Sequence, residues 1–91
     1  MENPIFKKDP DAVLDYGFDW SLWLATGETI QSSSWTAETG ITMDSDTNND
    51  TETAVWVSGG TANEIYILTN RIITSAGRTD ERSIQLRVVE R

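Results

Sequence analysis

A period-two alternation of apolar residues runs through residues 53–89 and limits what the chain can become. Ile84, Leu86 and Val88 fall on one face of an extended segment, with Gln85, Arg87 and Val89 on the other. A helix would scatter those apolar groups around its circumference, so the segment reads as a strand. Upstream, residues 65–74 are a long run of β-branched residues, Leu and Tyr, broken by Ser75-Ala76-Gly77. Val55-Trp56-Val57 ends a shorter run, and Ser58-Gly59-Gly60-Thr61 turns the chain. Such runs with turn residues between them predict three consecutive strands in an antiparallel meander with one buried face. The residues before 53 must then supply the strands that cover that face.

The first half of the chain offers them. Tyr16, Phe18 and Trp20 share one side of a strand, with Asp15, Gly17 and Asp19 on the other. A single helical turn can follow over residues 21–24, because Asp19 and Ser21 are good N-caps. Ala25-Thr26-Gly27-Glu28 is a turn, residues 29–37 a strand carrying Trp35, and Thr39-Gly40 a further turn. Ile41-Thr42-Met43 begins another strand, while the polar run 44–50 (DSDTNND) reads as a solvent loop. No stretch keeps a helical period. Six or seven short strands at this spacing predict an all-β fold, an immunoglobulin-like antiparallel β-sandwich with an extended N-terminal arm. Tyr66, just after the double-glycine turn, stands where sandwiches place a corner tyrosine whose hydroxyl meets upstream backbone. The expected core is Trp20, Ile30, Trp35, Ile41, Val55, Val57, Tyr66, Leu68, Ile72, Ile84, Leu86 and Val88. Ile65, Ile67 and Ile73 lie on the opposite face of the long strand, too apolar for a surface meant only for water.

The chain is 91 residues long, enough for one domain near the lower size for an unstapled core. Residues 1–12 hold both prolines and little apolar bulk, and read as an arm; residues 13–91 read as the sandwich domain. There are no cysteines and no histidines, so disulfides, thiolate sites and imidazole chemistry are excluded. The net charge of −8, with no basic cluster beyond Lys7-Lys8, argues against a nucleic-acid surface. No apolar run reaches membrane-spanning length, and the first residues lack a signal-peptide apolar region, so the expectation is assembly in the cytoplasm with no membrane partner. Trp20, Trp23, Trp35 and Trp56 are many for so short a chain. Some anchor the core, and a surplus marks a contact surface.

Candidate chemistry is thin. Asp44, Asp46, Asn48 and Asp50 have the alternate spacing of a calcium loop, but Asn49 replaces the glycine and Val55 stands where the closing Glu belongs. Asp15, Asp19 and Glu28 could be nominated as paired carboxylates, yet a domain of this size leaves little room for a substrate cleft. No nucleophile–base pair or phosphate loop occurs, so the expectation is a non-enzyme with no cofactor and no metal. The segment 77–82 reads as a hairpin loop whose charges could serve contact.

Several stretches carry a resemblance. Asp19-Trp20-Ser21, Ser58-Gly59-Gly60-Thr61-Ala62, and Thr69-Asn70-Arg71 followed by Gly77-Arg78-Thr79-Asp80-Glu81-Arg82-Ser83 resemble the fiber-tail adaptor proteins of tailed bacteriophages, over residues 9–89. The resemblance implies an immunoglobulin-like fold and a structural virion protein, joining the tail tube or neck to tail fibers or another tail component. It implies other phage tail or neck proteins and the tail fiber as partners, several symmetric copies in the virion, and no catalytic residues. The expected contact residues are Pro4, Ile5, Phe6, Lys7 and Lys8 of the arm, with Arg78 and Arg82 of the hairpin loop. A second reading is a carbohydrate- or receptor-binding β module with Trp23 as a stacking platform.

Overall fold

Seven strands follow one another in the computed structural model, which describes residues 4–90: β1 (Ile5–Lys8), β2 (Leu14–Asp19), β3 (Ile30–Ala37), β4 (Ile41–Asn48), β5 (Glu52–Gly59), β6 (Ile65–Thr74) and β7 (Thr79–Val88). Residues 1–3 of the expected arm and residue 91 of the expected domain lie outside that range. A four-stranded sheet in the order β1-β7-β6-β3 packs on a three-stranded sheet in the order β2-β5-β4. Neighbouring strands are antiparallel except β1, which runs parallel to β7. The fold is therefore an all-β sandwich.

The alternation in the sequence sets which side chains enter the space between the sheets. Along β6, residues 66, 68, 70, 72 and 74 are buried and their neighbours are not. Among the described residues, the buried apolar ones are the twelve expected from the sequence, from Trp20 to Val88. Full burial of a large apolar side chain contributes about 1.5–3 kcal/mol, so these residues dominate folding. Tyr66 holds the expected corner, its hydroxyl accepting a hydrogen bond from the Thr61 backbone N–H at 2.9 Å.

Between the apolar clusters lies a polar link that the sequence did not announce. Asn70 is fully buried, and its Oδ1 accepts from Trp20 Nε1 at 3.1 Å and from Thr53 Oγ1 at 2.7 Å. Its Nδ2 donates to Ser33 Oγ at 2.9 Å and to the Ser34 carbonyl at 3.0 Å. One amide thus ties β6 to β3, to β5 and to the end of β2, with every polar atom satisfied, as burial demands.

Three expectations need correction. Residues 79–82 of the expected hairpin loop are the first part of β7, paired with β6, so Arg82 is a strand residue and only 75–78 form the turn. Strands β5, β6 and β7 are not one meander, because β5 pairs with β2 and β4 while β6 and β7 form a hairpin in the other sheet. The double glycine sends the chain across the sandwich instead of back alongside β5. Gly59 and Gly60 have φ of 82° and 100°, and a Cβ on Gly60 would lie 2.7 Å from Val88 Cγ2. Only glycine permits that backbone to pass so close to the core. Residues 44–48 are also not loop but the second half of β4, paired with β5 past a bulge. Their acidity suits an edge strand, where charge discourages pairing with another chain. The turn is confined to 49–51, where Asn49 Oδ1 accepts from the N–H groups of Thr51 and Glu52 at 3.0 and 2.7 Å. The carboxylates at 44, 46 and 50 therefore do not converge as a calcium loop requires, and among the described residues no group of three acidic side chains is placed to hold a metal ion.

Candidate partner-binding surface

Three connections gather at one end of the sandwich: residues 20–29 after β2, 49–51 after β4, and 75–78 after β6. The first opens with the helical turn expected from the sequence. Asp19 caps it, its Oδ1 accepting the Ser21 N–H at 2.9 Å, and Trp23 and Leu24 N–H groups return to the Trp20 carbonyl. The cap holds the Asp19 carboxyl below its usual range, chiefly through the Ser21 backbone bond. This turn presents Leu22 entirely to solvent, at 101% relative exposure.

Behind Leu22 the end is clamped. Trp20 is fully buried, with the ring of Trp23 edge-on to it at 5.5 Å between centroids. The Arg78 guanidinium lies 4.0 Å over the Trp23 ring, and that of Arg82 lies 4.0 Å over the Trp20 ring. Arg78 also grips Glu28 through two bonds, Nε to Oε2 at 2.9 Å and Nη2 to Oε1. Glu28 is 8% exposed, and its remaining capacity is taken by Thr74 Oγ1 at 2.5 Å and the Ala25 N–H at 2.9 Å. Arg78 first, then Thr74 and Ala25, lower the Glu28 pKa to about 2, and the same pairing raises that of Arg78. Loop 20–29 is thereby fastened to the β6–β7 hairpin by a bidentate ion pair.

The structure brings Trp23, Arg78 and Arg82 together, as part of one end of the molecule. Arg78 is paired with a carboxylate of its own chain, Glu28, and Arg82 donates to the Asp19 carbonyl at 3.3 Å. One face of Trp23 is covered by Arg78, which leaves only the other face for stacking. Of the carboxylates nominated for catalysis, Glu28 is committed to this clamp. Asp15 and Asp19 line a separate groove on the outside of the smaller sheet.

The remaining expected contact residues lie elsewhere, on and just before β1. Pro4 precedes the strand, its carbonyl accepting the Gln85 N–H at 2.8 Å. Phe6 turns inward, with its ring 5.4 Å from that of Tyr16 on the opposite sheet. Lys8 is 1% exposed, and its Nζ donates to the carbonyls of Gly59 at 2.7 Å and Asp9 at 2.9 Å. Burial lowers the Lys8 pKa, an effect Asp9 opposes. Lys8 is thus an internal tie between the layers, whereas Ile5 and Lys7, in register with Gln85 and Arg87, face outward. Leu22 was missed in the sequence, where it entered neither the expected core nor the expected contact residues. Its signal was the Asp19-Trp20-Ser21 cap, which turns the following residue away from the sheet.

No curated protein matches the chain. The family model of Gp77, described as podophage GP4 fiber-tail adaptor protein gp77, matches residues 8–87, which take in β2 to β6, the last residue of β1 and nearly all of β7. The chain belongs to this podophage fiber-tail adaptor family.

Proposed function

We propose that the protein joins the tail tube or neck of the virion to the tail fiber or another tail component, using two separate surfaces of one rigid sandwich. The clamped loop end around Leu22, Trp23 and Arg78 meets one component. The arm, residues 1–12, with its exposed residues Pro4, Ile5 and Lys7, reaches the other. The observation that carries this reading is Leu22. A fully exposed leucine on a capped turn, held from behind by two arginine–tryptophan stacks and an ion pair, is an anchor already ordered for contact. Preorganisation of this kind lowers the entropy cost of association. The reading is one of protein–protein contact, without catalysis or cofactor.

The test is capture by tails that lack this protein and, separately, by purified fiber. Leu22→Asp is expected to lose one partner and keep the other, and Ile5→Asp/Lys7→Glu, which leaves β1 and the buried Lys8 in place, to show the reverse. Retention of both partners by both variants, or loss of both by each while they remain folded, would overturn the two-surface reading.

A further inference from the structure

Strands β1, β2, β3 and β4 stand at the edges of the two sheets, and three of them carry charge. β1 holds Lys7 and Lys8, β2 holds Asp15 and Asp19, and β4 holds Asp44 and Asp46. Charge on an edge is one way in which native sheets discourage stray strand pairing. β3 has none. Its sequence, IQSSSWTA, contains no proline either, and past a register shift between Ile30 and Ser32 it pairs regularly with β6 as far as Ala37. Just beyond the strand, the Glu38 N–H donates to the Ile67 carbonyl at 3.3 Å. Bonded positions alternate along an antiparallel pair, so the main chains of Thr36 and Ser34 also turn to β6. Those of Ser33, Trp35 and Ala37 face the other way, to the open edge.

β4 runs alongside this edge in the other sheet. The Ile30 N–H donates to the Asp50 carbonyl at 2.8 Å at one end, and residues 38–40 join the two strands at the other. Met43 pairs with Val57 and Asp46 with Val55, and both valines are fully buried. Directly opposed residues share a face of the sheet. Met43 and Asp46 therefore lie on the inner face of the smaller sheet, two register positions apart. Yet Met43 is 41% exposed, and Asp46 is exposed as well. Asp46 has no ion-pair partner among the described residues. The sandwich is open along this side, between β3 and β4.

From this we infer that the β3 edge accepts an extended segment of another tail protein as a further strand of the larger sheet. Its inward side chains are a basic residue against Asp46 and an apolar one, two residues away, against Met43. The main chains of Ser33, Trp35 and Ala37 supply the hydrogen bonds, and the alternate side chains of the incoming strand supply specificity. Asp46 turns acidic strands away and favours a basic one, as does the net charge of −8. The inference rests on the adaptor reading only for the source of the strand, and uses neither Leu22 nor the arm.

The probe is the peptide Thr-Val-Thr-Lys-Thr-Val-Thr-Lys-Thr, added to the full-length chain and followed by amide chemical shifts and hydrogen exchange. At about 1 mM, the weak end of specific association, it is expected to shift the Ser33, Trp35 and Ala37 amides and slow their exchange. The same peptide with Glu for Lys is expected to leave them unchanged. Asp46→Lys is expected to reverse the preference, binding the Glu peptide and refusing the Lys one, which also shows that the variant is folded. N-methylation of one alternate set of peptide amides is expected to abolish binding and that of the other set to spare it, because one edge of the strand meets β3. β3 amides that ignore the Lys peptide, or an unchanged preference in Asp46→Lys, would overturn the inference. So would shifts that follow protein concentration without peptide, since they place a second copy on the edge. Capture of tails and fiber through the Leu22 end is read separately, so failure here leaves that result standing.

Discussion

Glu28 and Arg78 come from loops 50 residues apart in the chain and meet in a pair of very unequal exposure, 3% for the glutamate side chain and 46% for the arginine. The sign of the pH effect follows from the carboxylate. Its pKa falls from 4.5 to about 2 in the folded chain, so the folded state favours the ionised form. The stabilisation is complete above about pH 4.5 and is lost as the pH falls toward 2. Glu28→Gln is expected to flatten the acid limb of a stability–pH curve in that window, measured by denaturant midpoint against the wild-type chain. An unchanged slope between pH 4.5 and 2 would show that the ion pair contributes nothing to folding. The same variant loosens loop 20–29, so the amides of Trp23 and Leu24, which donate to the Trp20 carbonyl, are expected to exchange with solvent faster.

At the scale of elements, the sheet pairings rest on a few positions where bulk is not tolerated. A Cβ on Gly17 would lie 2.2 Å from the Thr53 carbonyl oxygen, a backbone atom that cannot swing aside. Gly17→Ala is expected to shift β2 against β5 and cost about 2–3 kcal/mol, read from the denaturation midpoint. A neutral result would mean that the two strands pair less closely than the register indicates. These elements also show which features were legible in the sequence. The buried faces of β6 and β7 were readable because alternation with β-branched residues has one physical outcome. The sheet to which β5 belongs was not, because a glycine turn and a crossover use the same residues and only three-dimensional packing separates them. The second half of β4 was hidden by its polarity: an edge strand buries so little that its side chains resemble those of a loop. The buried bonding roles of Glu28, Thr74 and Asn70 were equally hidden, since a buried polar residue is recognised by its partners and those are distant in sequence. Arg78, Arg82 and Trp23 stood out by type, but the arrangement that turns them into a clamp did not.

The whole molecule measures 43 × 27 × 19 Å, an elongated slab with loops at one end and the β1 edge beside the far part of β7. A rigid slab with distinct ends suits a part that fixes the distance between two larger assemblies. In the adaptor reading an anchor such as Leu22, repeated over several copies, would gain from avidity, which multiplies weak single contacts. The most direct measurement of the central claim is a two-step binding experiment on immobilised tails that lack both this protein and the fiber. The account predicts that fiber binds only after the adaptor has been loaded, and that the adaptor stays on the surface while fiber is added. Fiber that binds the bare tail equally well, or that displaces the adaptor as it binds, would contradict the claim that one chain holds both partners at once.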